Sequence, residues 1–319
     1  MKAIVVGSAN TDLIIHVDTL PARGDTEVGY GFKNSPGGKG ANQAVALSRL
    51  GASTSLVARF GKDEFSSLLI DTIQQYGVVL EHAVIDEKRR GGVVFILVDR
   101  EGNNTMIADL GSNLYLDSAD IEHAGEAFMD SRLLLMQFEV SEGANMKACE
   151  MAAEKGMKIV LNPAPMKTFD TSILRFTDVL TPNMFELGRI LRLIHGKDVL
   201  SDSESDVEKI VAAGHSIVEF GVGHVVVTAG EKGCIHVDHK SSHCYGTYRV
   251  RQVDSTAAGD AFTAAFSLKF AEGGEVDESV RFAAASAALT VSREGAVPSL
   301  PYRDEVEAFM KEHTLAQFG

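Results

Sequence analysis

Cysteine is scarce in this chain: Cys149, Cys234 and Cys244 are the whole complement, odd in number and without framework spacing. That excludes a disulfide-stapled secreted fold and leads us to expect a reducing, cytoplasmic compartment. Long apolar runs are missing too. No stretch approaches the roughly 18 uninterrupted apolar residues of a membrane span. The opening Met1-Lys2-Ala3-Ile4-Val5-Val6-Gly7 is too short an apolar run for a signal peptide. Basic clusters stop at Lys88-Arg89-Arg90, and the formal net charge is -14. Binding a duplex requires a basic face that neutralises phosphates, so a nucleic-acid partner is not expected. There is no internal repeat and no low-complexity segment. What is present is an ordinary globular composition, 45% hydrophobic and 23% charged over 319 residues, enough to bury a large core.

Short apolar runs alternate with helical patterns along most of the chain. Strands are predicted at 3–7, 54–60, 133–138, 158–161, 178–180 and 224–228. Their hydrophobicity is continuous rather than alternating, as expected for strands buried on both faces of a parallel sheet. Helices are predicted at 42–50, closed by Gly51, at 145–155, closed by Gly156, and at 207–220 and 261–270. The βαβα order specifies a three-layer α/β/α, doubly wound sheet. Two stretches, 13–33 and 91–110, break the rhythm with strand patterns and turn punctuation (Pro21-Ala22-Arg23-Gly24-Asp25 and Glu101-Gly102-Asn103-Asn104) but no helix. We therefore expect an α/β domain made of 1–12, 34–90 and 111–319, with a small β lid from 13–33 and 91–110 inserted in it. The acidic segment between Asp202 and Asp206 reads as the solvated approach to the helix 207–220.

Two glycine-containing segments carry candidate chemistry. In Val253-Asp254-Ser255-Thr256-Ala257-Ala258-Gly259-Asp260-Ala261-Phe262, small residues let backbone approach a ligand at the start of a helix. Free N–H groups and the positive end of the helix dipole at such a start hold phosphate oxygens. Asp260 at its mouth has two readings on spacing alone: a base that accepts a proton from an attacking hydroxyl, or a helix cap. The segment Gly37-Gly38-Lys39-Gly40-Ala41-Asn42-Gln43-Ala44 also opens a helix, yet it is no Walker A loop, because Gly rather than Ser or Thr follows the lysine. It offers a cation and an amide beside exposed backbone, which suits a polyhydroxylated ligand. Asn10 and Asp12, in the loop after the first strand, fall where α/β sheets bind ligands.

Five ordered motifs then resemble one family. They are Gly38-Lys39-Gly40-Ala41-Asn42-Gln43-Ala44, Asn162-Pro163-Ala164-Pro165, Thr181-Pro182-Asn183-x-x-Glu186, Thr228-x-Gly230-x-x-Gly233 and Asp254-x-Thr256-Ala257-Ala258-Gly259-Asp260. Together they resemble the ribokinase-like (PfkB-type) sugar kinases over nearly the whole chain. The resemblance implies an ATP-dependent kinase acting on a pentose, with Asp260 as general base and residues 257–260 (Ala257, Ala258, Gly259, Asp260) as anion hole. It implies a sugar site of Asn10, Asp12, Gly38, Lys39, Asn42 and Glu139. ATP would meet Asn183, Thr228, Gly230, Gly233 and Gly259, and Glu186 would organise Mg²⁺ through water. A K⁺ ion would be held by Asp254, Thr256, Thr290, Arg293, Gly295 and Ser299. The family's lid often pairs two chains, so a homodimer is implied as well.

Asn10 favours D-ribose, taken to D-ribose 5-phosphate, because a buried amide without its hydroxyl partner costs roughly 1–3 kcal/mol. Another sugar or a nucleoside (deoxyribose, a hexose) is the alternative within the family, and a non-catalytic sugar-binding regulator the alternative outside it. Three positions depart from the family pattern. Ala258 stands where many relatives carry Gly, which a negative φ would tolerate. Ala284 replaces a polar residue near adenine, and Met184-Phe185 a more polar pair. The cluster Cys234, His236, His239, His243 and Cys244 is not expected to bind metal. It reads as a hairpin whose alternate residues point to opposite faces, so few of them converge.

Overall fold

The computed structural model describes residues 1–101, 104–201 and 206–319. The expected turn residues Gly102 and Asn103, and the acidic run 202–205, lie outside the described residues. The first half of the chain forms β1 (Lys2–Val6), β2 (Asn10–His16), β3 (Tyr30–Gly37), α1 (Lys39–Arg49), β4 (Ser53–Val57), β5 (Arg59–Gly61), α2 (Glu64–Gln75), β6 (Val84–Asp86), β7 (Gly92–Val98), β8 (Asn104–Asp109), α3 (Ser118–His123), α4 (Gly125–Met129), β9 (Leu133–Met136), α5 (Glu142–Glu154) and β10 (Lys158–Leu161). There follow β11 (Val179–Leu180), α6 (Met184–His195), α7 (Val207–Phe220), β12 (His224–Thr228), β13 (Cys234–Asp238), β14 (Ser242–Tyr245), α8 (Ala258–Ala271), α9 (Val276–Val291) and α10 (Arg303–Glu312).

Eight strands make the central sheet in the order β14-β13-β12-β11-β10-β9-β1-β4. Every pairing from β12 to β4 is parallel, and the β12–β13–β14 edge is antiparallel. Alternate residues of one strand feed opposite cores, as the two-residue period of a strand requires. Val5, Leu135, Val160 and Val226 pack with α1, α8 and α9. Ile4, Val6, Leu134, Met136 and Val225 pack with α5, α6 and α7 on the other side. The result is the three-layer sandwich expected from the βαβα rhythm.

The predicted strand 54–60 is divided in two. β4 stays in the central sheet, while β5 turns away after Ala58 to pair with β6. Arg59 explains the departure. Its guanidinium bonds Asp86 at 2.9 Å and Asp120 at 2.7 Å, a pairing that a position inside the apolar sheet would forbid.

The two helix-free stretches build a second sheet of order β3-β2-β7-β8, with β2 and β7 parallel. Its strand β2 begins at Asn10, directly beyond the carboxyl end of β1, and β3 runs on to Gly37, directly before α1. This sheet therefore rises from the carboxyl edge of the central one. Its outer surface is apolar at Tyr30, Phe32, Phe95 and Ile107, all at least half exposed. Asp206 caps α7 by accepting the N–H of Glu208 at 3.0 Å. Among the described residues, no helix is long and apolar enough to cross a membrane.

Candidate active site

The carboxyl ends of five neighbouring strands, β1, β9, β10, β11 and β12, open onto one crevice, as ligand sites of open α/β sheets do. Part of it is a cleft of about 230 Å³ whose lining includes Lys39, Asn162, Asn183, Glu186, Thr228, Gly259 and Asp260. Residues that lie far apart in the sequence meet here because α1 and α8 both start at this edge.

Asp260 stands in the first turn of α8 and is buried. One carboxylate oxygen accepts from Nδ2 of Asn42 and the other from Nε2 of Gln43, each at 2.9 Å. Ala257, just before α8, has a left-handed φ of 61°, the single positive φ of a non-glycine among the described residues. That conformation costs an alanine about 1–2 kcal/mol, and it is Ala257, not Ala258, that bears it, since Ala258 is already the first helical residue. The turn leaves the N–H groups of Gly259 and Asp260 without a backbone acceptor. A Cβ on Gly259 would meet nothing within 4 Å, so the backbone there faces open cleft. The arrangement can hold an anion on two N–H groups beside a carboxylate able to take a proton.

The other end of the crevice is built by close backbone approach. Gly38 has φ 89°, and a Cβ on it would stand 2.7 Å from the Asn10 nitrogen. A Cβ on Gly40 would stand 2.5 Å from the Ser8 nitrogen, and one on Gly37 2.2 Å from the Asp12 carboxylate. Only glycines let α1 start so near β1 and β2. Glu139 accepts from the Lys39 backbone N–H at 3.0 Å and from the Ser8 hydroxyl. Burial alone would lower the Lys39 pKa, but the carboxylates of Asp260, Glu139 and Glu186 outweigh it and push it up. Asp12, buried and facing Glu139 and Asp260, is pushed up to about 7, by burial first and the two like charges second. Among the described residues, Oδ1 of Asn42 and Oε1 of Gln137 are buried acceptors without a partner, free to receive hydroxyl protons.

Asn183 and Glu186 form a reciprocal cap at the start of α6: Asn183 Oδ1 accepts from the Glu186 N–H, and Glu186 accepts from the Asn183 N–H, both at 2.8 Å. This cap accounts for the Asn-x-x-Glu spacing locally. It still leaves the second Glu186 oxygen at the cleft, where burial pushes the carboxyl up despite Lys39. Met184 packs on the core and Phe185 lies under the Arg189 guanidinium at 4.9 Å, so this pair turns away from the crevice. Thr228 lines the cleft. Gly230 and Gly233 shape the turn after β12, where a Cβ on Gly233 would lie 1.9 Å from the Tyr245 carbonyl oxygen. Ala284 is buried inside α9.

The structure also joins the loop after residue 253 to the end of α9. Asp254 accepts from Thr256 N–H at 2.9 Å and Oγ1 at 2.6 Å, and from Gly295 N–H at 2.9 Å. Thr290 and Ser299 direct their hydroxyls to the carbonyls of Ser286 and Ala296, and the Arg293 guanidinium to Glu305. These side chains are therefore engaged within the protein.

Sequence reasoning missed Gln43, Asn113 and Ser8. Gln43 lies within the glycine-rich segment, next to Asn42, but was given no role. Asn113 had no signal: it comes from a 3₁₀ turn far along the chain. Its Oδ1 accepts the Ala9 N–H at 2.9 Å, which fixes its amide, and its Nδ2 then donates to Oδ1 of Asn10 at 2.9 Å. The Nδ2 end of Asn10 is thereby turned away from this network as a donor. Gly92 is required beside them, because a Cβ there would lie 2.0 Å from Asn10 Oδ1.

The shifted Asp12 carboxyl gives a stability test. Its folded pKa of about 7 lies above the unfolded value of 3.8, so the folded chain binds the extra proton between them and stability falls as pH rises through that window. Relative to wild type, Asp12→Asn is expected to gain roughly 1–3 kcal/mol on going from pH 4 to pH 8, measured by urea unfolding without ligand. A stability difference independent of pH would contradict the crowding of Asp12.

The family model described as pfkB family carbohydrate kinase matches residues 1–303. The chain is 31% identical to a ribokinase of Haemophilus influenzae over 96% of its own length and 97% of the relative's. It is 30% identical to a deoxyribokinase of Salmonella typhimurium, over 97% and 99%. Its fold superimposes on the crystal structure of ribokinase from Thermotoga maritima with a TM-score of 0.87 at 32% identity, over 97% and 99% of the chains. The Arabidopsis thaliana ribokinase complexed with ribose and ATP gives a TM-score of 0.87 at 29% identity, over 97% and 98%. With a family model spanning most of its length and relatives above 30% identity, the chain belongs to the pfkB family of carbohydrate kinases.

Proposed function

We propose that this kinase transfers the γ-phosphoryl group of ATP to the 5-hydroxyl of D-ribose, giving D-ribose 5-phosphate and ADP. The observation that carries the reading is the double anchoring of Asp260 by Asn42 and Gln43. It ties a proton acceptor at the phosphate end of the crevice to the amide-rich end suited to a sugar. In this reading Asn10, Asp12, Gly38, Lys39, Asn42 and Glu139 hold the sugar hydroxyls. Asp260 takes the hydroxyl proton as the oxygen–phosphorus bond forms and the bond to the β-phosphate oxygen breaks. At the 257–260 turn, the free N–H groups of Gly259 and Asp260 receive the transferred phosphoryl oxygens, where a preorganised donor is worth more than water. Asn183, Thr228, Gly230, Gly233 and Gly259 border the nucleotide.

The uncommitted Glu186 oxygen fits a water of hydrated Mg²⁺, which neutralises phosphate charge when bound. The loop of Asp254, Thr256, Thr290, Arg293, Gly295 and Ser299 fits K⁺ through carbonyl oxygens, which such an ion accepts. Ribose is favoured over 2-deoxyribose by the Asn10 amide: its oxygen is occupied by Asn113, so its N–H donor needs a hydroxyl oxygen, at roughly 1–3 kcal/mol if left unmet. The second sheet acts as a lid that excludes water from the transfer. Its apolar outer face pairs with a second copy in a homodimer, so sedimentation at micromolar concentration should give twice the chain mass, and a monomer would reject the pairing. A cytoplasmic setting fits the three free thiols.

A coupled assay of ADP release over pentoses, hexoses and nucleosides tests the substrate. The highest kcat/KM is expected for ribose, and higher rates in K⁺ than in Na⁺. A preference for 2-deoxyribose would overturn the acceptor, and equal rates without K⁺ would overturn the ion site alone.

Asp260→Asn tests the mechanism. It should lower kcat by about 10²–10⁴-fold while leaving ATP and sugar binding near wild type. An amide caps a helix nearly as well as a carboxylate, so a variant keeping more than about a tenth of kcat would return Asp260 to a capping role.

A further inference from the structure

At the far end of β12, away from the catalytic crevice, three side chains meet that the kinase reaction does not use. His224 opens β12, directly opposite Asp238 of β13 in the antiparallel register. His236 lies two residues before Asp238, hence on the same face. One donor atom from each of the three falls within 4.8 Å of the others. Of the five residues singled out in the hairpin sequence, only His236 takes part. The other two ligand positions come from the neighbouring strand and from an aspartate, a convergence that spacing within one segment does not reveal.

We propose that His224 Nδ1, His236 Nε2 and Asp238 Oδ2 form a binding site for a divalent first-row transition metal such as Zn²⁺. The donor set of two imidazoles and one carboxylate suits these ions rather than Mg²⁺. The two ring nitrogens stand 3.0 Å apart, and donors bonded at about 2.0–2.1 Å to one ion at near-right angles stand about 3 Å apart. Oδ2 of Asp238 lies 3.9 Å from His224 Nδ1, too far for a hydrogen bond and within the span of two ligands of one ion. The other oxygen, Oδ1, is held by the N–H groups of Lys240 and Ser241, both at 2.7 Å, and by the Ser241 hydroxyl at 3.3 Å. That is the outer support by which a ligating carboxylate is aimed.

Charge points the same way. Burial pushes His236 down to about 4, with His224 adding to it, and lowers His224 as well. Both shifts work against a positive charge on either ring at the place where a cation would sit. Lys158, the nearby lysine, is paired with Asp178 at 3.1 Å. His236 is buried, and among the described residues its Nδ1 has no partner, so the one polar contact of the ring is Nε2 toward His224 Nδ1. His224 and Asp238 are each about a quarter or less exposed, at 26% and 20%, which leaves a solvent path for the ion. Four residue steps of β12, about 13 Å, separate the site from Thr228 at the cleft, so its role is to tie the edge hairpin to the sheet rather than to enter the transfer.

The test uses the full chain, stripped with chelator and free of nucleotide, titrated with Zn²⁺ by calorimetry and with Co²⁺ by visible absorption. One saturable equivalent per chain and a rise in Tm are expected. His224→Gln and Asp238→Asn should each weaken binding about tenfold or more, while His239→Gln binds as wild type. X-ray absorption at the zinc edge of the wild-type complex should show two imidazoles and a carboxylate, a readout that does not depend on the variants folding. No saturable binding, undiminished binding in His224→Gln, or a zinc edge without imidazole would each overturn the site.

Discussion

Four carboxylates, from Asp12, Glu139, Glu186 and Asp260, share one partly buried crevice, and much of its surroundings serves to hold like charges together. Two such charges 4 Å apart repel by about 1 kcal/mol in water but about 4 kcal/mol at the effective dielectric of a protein surface. Lys39 offsets part of this, which is why its pKa rises in spite of burial. One cation does not balance four anions. The remainder is carried by neutral donors: Asn42 and Gln43 on Asp260, the Lys39 backbone and Ser8 on Glu139, the Asn183 backbone on Glu186. Asp12 has no comparable donor among the described residues and is the group whose pKa moves furthest in this set, to about 7.

That constraint dictates the glycines. Neutral donors reach these carboxylates only if α1 begins against β1 and β2, and Gly37, Gly38 and Gly40 each occupy a place where a methyl group would overlap neighbouring atoms. Gly92 performs the same service where the second sheet crosses Asn10 and Asn113. Ala257 is the counterpart before α8. It accepts a left-handed backbone so that α8 opens its first turn onto the cleft, a strain of the kind found where backbone serves a site.

The second sheet inherits its position from the same junction. Asn10 is both the first residue of β2 and a member of the polar array, and Gly37 ends β3 one residue before the cap of α1. A sheet joined to the crevice at both ends moves only by moving groups of that polar array. At the opposite end of β12, His224, His236 and Asp238 meet across the antiparallel β12–β13 pair, which α7 covers on one face.

Much of this was legible in the sequence, for definite reasons. Continuous apolar runs alternating with capped helices gave the sandwich, because burial on both faces of a parallel sheet leaves no room for polar alternation. Asp260, Lys39 and Asn42 stood out because glycines and small residues are rarely placed before a helix without a reason in the backbone. The division of the strand at Ala58 was not legible, since Arg59 departs only to meet Asp86 and Asp120, carboxylates 27 and 61 residues away. The same holds for Asn113 orienting Asn10 across 103 residues, and for His224 meeting His236 across two strands. By itself the sequence determined the strands of the parallel sheet, several of its helices and the close-approach turns, because periodicity and backbone sterics act over a few neighbouring residues. Only the tertiary structure decided which polar groups face one another, because hydrogen bonds and charge interactions act over a few ångströms of space and are indifferent to separation along the chain.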